Sequence, residues 1–338
     1  MPGSPSRRAN SPATRLGHPV LDRYLEFVEA RARHNTLLAT ASDLRIFFTT
    51  VDKEPADIVV DDVLAFITAQ RTPVLDPRIV RLRDGESGLS AATIKRRLSS
   101  VSGFFSYLVM TGERKANPVP RGLATRRSKR AKGAIVPLVR APRTLPKILE
   151  PAEVDALVGA LRRWRDRAMV EAMVLGGLRR CEVLGLRLED LRPGEGRVFV
   201  RDGKGGHQRL VPVSGRFFRS VSAYLSTERP AEATTDWLFV VLKGPRRGRP
   251  LSDDGLDEIV RYTRIRIGLA HGTCHELRHT CLTRLREAGM ALEAIQAQAG
   301  HRSLETTRIY LHLSNEWLAD EYARAMALFD TDVLAVAQ

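Results

Sequence analysis

Between Ser90 and Met110 the apolar residues Ile94, Leu98, Val101, Phe105 and Leu108 recur at the spacing of one helix face, which predicts a helix over 90–110. Ser90 is a good N-cap, Thr111-Gly112 closes the last turn, and Asn117-Pro118 prevents the helix from resuming. Stretches of the same kind predict helices over 21–33, 36–50 and 61–69, so residues 21–118 read as one all-helical domain. The pattern restarts near Leu149. Pro151 suits a first helical turn, and helices are expected over 152–161, 165–175 and 179–186, with Gly176-Gly177 breaking the chain just before Arg179. Residues 197–201 and 208–213 then predict a β-hairpin around Asp202-Gly203-Lys204-Gly205-Gly206. Helices return over 255–267, 275–288 and 291–299, with Gly289 and Gly300 as stops, and Ser303 can cap a short helix carrying Tyr310. Beyond it Leu318, Tyr322, Met326 and Phe329 form an apolar stripe, which suits either packing within the chain or docking on a second copy. The expected fold is mainly α with a small β-hairpin, in two domains. Residues 1–20 are a flexible segment, 21–118 the helical domain, 119–147 a linker, and 148–338 an α+β domain ending in a tail helix.

Composition adds little about class until charge is considered. An apolar content of 43% suits a globular chain, and 338 residues are enough for two cores. No run reaches a membrane span, and Met1–Pro19 has no signal-peptide character, so a soluble, cytoplasmic protein is expected. Cys181, Cys274 and Cys281 are odd in number and form no CxxC pair, which argues against a disulfide framework or a zinc site. Cys274 adjoins His275, but sequence neighbours point to different faces of a helix. The formal charge of +15 and a pI near 10.4 imply an anionic partner, nucleic acid being the usual one; a merely solvated basic surface is the alternative. The distribution favours DNA. From Arg121 to Lys147 the chain has no acidic residue, while Pro120, Pro137, Pro142 and Pro146 keep it extended. Arg126, Arg127, Lys129, Arg130 and Lys132 are its expected phosphate contacts, joined by Lys95, Arg96 and Arg97, which lie off the apolar stripe of the 90–110 helix.

Taken singly, the polar residues of the second domain have plain explanations. Arg179 and Glu182 can be a helix salt bridge, Lys204 an exposed hairpin tip, His301 a junction residue and Tyr310 a core residue between Ile309 and Leu311. The ordered series is more specific. It runs from Gly177-Leu178-Arg179-Arg180-Cys181-Glu182 through Gly203-Lys204-Gly205 and Arg209-Leu210-Val211-Pro212. It continues with His275-Glu276-Leu277-Arg278-His279-Thr280 and ends with Gly300-His301-Arg302 and Arg308-Ile309-Tyr310. From Leu149 to Leu313 the chain resembles the catalytic domain of the tyrosine recombinase (phage integrase) family. More weakly, Leu21–Pro118 is similar to that family's helical core-binding domain. Ala299 stands where the family usually has Leu, and Glu276 replaces a common Asp; neither is a catalytic position.

The resemblance implies a two-domain clamp on double-stranded DNA, with Arg179, Lys204, His275, Arg278, His301 and Tyr310 as the catalytic set and Glu182 in support. Arginine forks stay charged and suit the non-bridging oxygens of a phosphodiester, where negative charge grows during attack. A phenol, with a pKa of about 10, is a poor nucleophile without a base or nearby cations. His275 is the expected acceptor of its proton, Lys204 the donor to the leaving 5′-oxygen, and His301 a hydrogen-bond donor to the phosphate. The family's chemistry leaves a 3′-phosphotyrosine and a free 5′-hydroxyl and is reversed by a partner strand. Neither metal nor other cofactor is expected. Self-association on DNA, as a tetramer joining two duplexes, is the implied assembly, with the nucleoid as place of action. Relaxation of DNA as by a type IB topoisomerase and a non-catalytic DNA-binding regulator are the alternatives. Phage integrase, transposon recombinase, integron integrase and chromosome-dimer resolvase all fit the series.

Overall fold

The computed structural model describes residues 14–72, 88–122, 138–140, 147–201 and 208–300. The chain packs as two units, 1–143 and 144–338. In the first, α1 (Pro19–Arg31), α2 (His34–Val51), α3 (Val60–Arg71) and α4 (Ala91–Met110) enclose one core. The Ser90 hydroxyl caps α4 by accepting the Thr93 N–H at 3.3 Å, and the expected stripe is buried, widened by Phe104. Phe47 of α2 meets Phe66 of α3 edge-on at a centroid separation of 4.9 Å, an arrangement that sets ring edge against ring face. Asp43 of α2, fully buried, accepts from Arg96 Nη1 at 2.5 Å and Ser100 Oγ at 2.8 Å on α4, pinning the two helices.

The helical core extends past the boundary expected at Pro118. Val119 and Val139 are buried in this same core, so the first unit continues to Arg143. The physical reason is that the 119–147 stretch carries apolar as well as basic residues, and burying the former is favourable wherever a core is within reach.

The second unit is built around α6 (Trp164–Val174), buried on all sides from Ala168 to Val174. A stretch with no exposed face belongs at a centre, and α8 (Gly215–Thr227) and α10 (Cys274–Glu287) pack against it. The sequence reading does not include α8, although its signals are present: Ser214 caps it, and Phe217, Val221 and Tyr224 are its buried face. The expected hairpin forms from β2 (Arg197–Val200) and β3 (Arg209–Pro212), with Val198 opposite Val211. A further strand, β1 (Leu191–Arg192), pairs antiparallel with β2 to give the sheet order β1-β2-β3. Its two residues are too few to show an alternation. The remaining helices, α5 (Pro151–Ala160), α7 (Arg180–Leu184), α9 (Asp253–Arg266) and α11 (Leu292–Ala299), lie close to their expected spans. No described helix is long and apolar enough to cross a membrane.

Candidate active site

The chain leaves α6 through Gly176-Gly177. Gly177, at φ +67°, makes a left-handed turn that a side chain disfavours and that brings the chain straight into α7. Arg179 is thereby placed at the N-cap of α7 rather than inside it. Its own N–H donates to Glu182 Oε2 at 2.9 Å, and its Nη1 donates to Glu182 Oε1 at 2.7 Å. A second arginine reaches the same carboxylate from the sheet: Arg209 of β3 donates from Nη1 and Nη2 to both Glu182 oxygens, at 3.0 and 2.9 Å. A third comes from α10, where Arg278 Nη1 lies 3.8 Å from Glu182 Oε2. Arg278 is only 3% exposed, so its charge is held by what it touches: the carbonyls of Gly177 and, at 2.7 Å, Ala299.

One carboxylate facing three guanidiniums leaves positive charge in excess. Burial pushes the Glu182 carboxyl up, but the hydrogen bonds and charge of Arg209, then those of Arg179, more than offset it, so Glu182 stays below the usual carboxylate range. Protein dipoles partly complement the arginines. The carbonyls of Gln298, Ala299 and Gly300, at the end of α11, accept from Arg209, Arg278 and Arg179 respectively. These are groups that a helix C-terminus leaves without partners of its own.

The start of α10 sets His275 beside these arginines. Thr273 accepts the Glu276 N–H, and the Glu276 carboxylate accepts the N–H groups of Thr273 and Gly272, at 2.7 and 2.8 Å, so both sides of a capping box are formed. The helix therefore begins at Cys274, one residue before the expected start. His275 and Arg278, three residues apart, share one helix face and line one cavity of about 670 Å³ with Arg179, Arg180, Arg261 and Arg264. Burial, and then the neighbouring Arg278, hold the His275 imidazole below its ordinary pKa and so favour its neutral form. Its Nε2 lies 2.8 Å from Nε2 of His279, whose pKa is pushed down to about 4 by burial, His275 and Arg278. Cys274 turns inward, and burial pushes its thiol up to about 12, so it stays protonated and gives no thiolate to pair with His275.

Of the expected catalytic set, Arg179, His275 and Arg278 come together at this cavity, with Glu182 behind the arginines. Lys204, His301 and Tyr310 lie outside the described residues, as do Arg126, Arg127, Lys129, Arg130 and Lys132. On α4, Lys95 is exposed, Arg96 is half-exposed and bound to Asp43, and Arg97 is half-buried and donates to the Gln70 side chain. Arg209 and His279 are the site residues to which the sequence reading gives no part. Both stand inside the motif stretches quoted above, but only the fold shows what they touch. Among the described residues, no group of three or more His, Cys, Asp or Glu side chains is arranged to hold a metal ion.

Residues 147–316 match the phage integrase family. The chain is 35% identical over 248 residues to "Tyrosine recombinase XerC" of Vibrio atlanticus (strain LGP32), covering 70% of this chain and 73% of that protein. It is 31% identical over 310 residues to the protein of the same name from Thermodesulfovibrio yellowstonii, covering 88% of this chain and 92% of that one. The chain belongs to the phage integrase family, the tyrosine recombinases. Among solved structures, the Tn1549 transposon integrase in complex with transposon right end DNA matches with a TM-score of 0.67 at 18% identity, over 91% of this chain and 99% of that one. A lambda integrase dimer bound to a COC′ core site matches with a TM-score of 0.62 at 18% identity, over 86% and 93%. At these identities the likeness speaks for the fold.

Proposed function

We propose that the protein is a site-specific DNA recombinase that cuts and rejoins strands through a covalent bond between Tyr310 and a 3′-phosphate. The observation that carries this reading is the meeting of Arg179, Arg278 and His275, from distant parts of the chain, at one positively charged cavity. In the proposed reaction the Tyr310 hydroxyl oxygen bonds to phosphorus as the bond from phosphorus to the 5′-oxygen breaks. The phenolic proton passes to neutral His275, and Lys204 protonates the departing 5′-oxygen. Arg179 and Arg278 stabilise the charge that grows on the non-bridging oxygens, and His301 donates a further hydrogen bond. Attack by a 5′-hydroxyl of a second duplex reverses the step. The phosphotyrosine conserves the bond, so no nucleotide cofactor is required.

Double-stranded DNA is the partner, as the charge of +15 supports, and four copies of the chain join two duplexes during exchange. Recombinases bound to DNA, one of them a dimer, share the fold. The protein acts on DNA at the nucleoid. The discriminating experiment supplies two duplexes of different length, each carrying a site selected from random sequence by binding to the wild-type chain. Joint products of exchanged length are expected. Relaxation of supercoiled DNA without joint products would instead indicate a topoisomerase.

A further inference from the structure

Arg209 is distinct among the three arginines around Glu182, because it does not line the cavity and the proposed reaction gives it no task. Its donors are committed within the protein. Nη1 and Nη2 take both Glu182 oxygens at 3.0 and 2.9 Å, and Nε donates to the Gln298 carbonyl at 3.2 Å. The turn after α11 is shaped around it. Gly300 sits at φ +60°, and a Cβ there would lie 2.9 Å from the Arg209 guanidinium carbon. Gln298 ties the same place together through its side chain, which donates to the carbonyls of Gly176 at 2.8 Å and Pro212 at 3.0 Å.

We propose that Arg209 is a positioning residue for strand cleavage, gripping both oxygens of Glu182 so that this carboxylate aims Arg179 and Arg278, while its bond to Gln298 fixes the end of α11 at the same point. The inference rests on the recombinase reading above. A carboxylate offers about four acceptor positions. The Arg209 fork takes one on each oxygen, leaving the others for the Arg179 side chain and N–H. Without the fork, the Glu182 carboxylate is held by Arg179 alone, and nothing ties it to β3 or to the end of α11.

A second consequence follows from charge. The charged groups facing Glu182 are Arg179 at the start of α7, Arg209 on β3 and Arg278 on α10, while the end of α11 offers carbonyls. Arg209 contributes most to keeping the buried carboxyl ionised. Its removal leaves burial in place and lets Glu182 take up a proton at higher pH, turning an acceptor for cations into a neutral acid.

The test compares Arg209→Met and Arg209→Lys in the full chain. The first readout needs no DNA: the ¹³C titration of the Glu182 carboxyl, assigned by its loss in Glu182→Gln. Arg209→Met is expected to raise the midpoint by about two pH units or more, and Arg209→Lys, which keeps the charge but not the fork, by less. The second readout is single-turnover cleavage of a nicked duplex carrying the selected site. In Arg209→Met the rate should fall about 30-fold or more at pH 6 and under about tenfold at pH 8, with DNA affinity within about threefold of wild type. In Arg209→Lys the loss should be smaller and have the same pH trend. An unchanged midpoint, or equal loss at both pH values, overturns the proposal. Should Arg209→Met not unfold cooperatively, a wild-type midpoint and rate in Arg209→Lys overturn it alone. If the wild-type chain forms no adduct with any duplex, the recombinase reading fails while the titration still decides whether Arg209 governs Glu182.

Discussion

Asp43 in the helical unit and Glu182 in the second unit are both acids with no solvent exposure beside arginines, yet they are satisfied differently. Asp43 accepts from one arginine, itself half-exposed, and one serine, with Arg97 as a further charge nearby, and its Oδ1 has no hydrogen-bond partner among the described residues. Glu182 receives hydrogen bonds on both oxygens from two arginines, with a third guanidinium at 3.8 Å. The first arrangement joins two helices, its bonded arginine half in water. The second overfills an acid with cations, and the surplus faces a cavity. A buried carboxylate is thus a fastener in one unit and an aiming device for positive charge in the other.

The largest effect is expected from breaking the second arrangement. Glu182→Ala leaves three arginines without their shared partner, a change of the kind that costs about 3–5 kcal/mol when a buried pair loses one member. Thermal unfolding should show that loss, and single-turnover cleavage should fall by about a thousandfold or more, because arginine aim is lost as well as stability. Asp43→Ala should instead cost about 1–3 kcal/mol, discounted because Arg96 is half in water, and should leave cleavage of bound DNA nearly unchanged. A large cleavage defect in Asp43→Ala would erase the contrast.

Burial, and after it His275 and Arg278, hold His279 at a pKa of about 4, below the value of about 6.5 for an unfolded histidine. As the pH falls below about 6.5, the unfolded chain gains a proton that the folded one resists, so the His279 contribution to stability should decline until about pH 4 and then level off. His279→Asn should flatten that slope in a pH series of denaturant titrations. A slope unchanged by the substitution would show that His279 does not resist protonation in the folded chain.

The smallest effect concerns DNA contact by α4. Lys95→Ala should reduce the slope of log affinity against log salt by about 1, whereas Arg96→Ala should change it less, since Asp43 already holds that guanidinium. Equal changes would mean that the Asp43 pair opens on DNA. Replacing Arg126, Arg127, Lys129 and Arg130 together by Ala should flatten the slope by several units if that stretch follows the phosphates.

What the sequence reveals follows from the range of each interaction. α4 was legible because its cap, stripe and stop lie within one continuous stretch, and Arg179 because a glycine pair and Glu182 flank it locally. The meeting of His275 with Arg278 followed from helix spacing alone. The Arg209–Glu182 contact spans 27 positions and joins a strand to a helix, so no local pattern announces it. The acceptors at the end of α11 are backbone carbonyls, for which no residue type codes. β1 is too short to carry a period, whereas α8 shows a legible cap and stripe that the hairpin before it overshadowed. The resemblance that grouped Arg179, His275 and Arg278 depended on order along the chain, and folding brings those three to one cavity.

The central claim is that Tyr310 forms the covalent bond to DNA. Its most direct test uses a nicked suicide duplex carrying the selected site, from which the cut fragment diffuses away so that rejoining cannot occur. The wild-type chain should yield a protein–DNA adduct that survives denaturant, and peptide mapping should place the DNA on the tyrosine between Ile309 and Leu311. Tyr310→Phe removes only the hydroxyl, so DNA binding should persist while the adduct disappears. An adduct that forms in Tyr310→Phe, or one that maps to Tyr24, Tyr107, Tyr224, Tyr262 or Tyr322, would contradict the account.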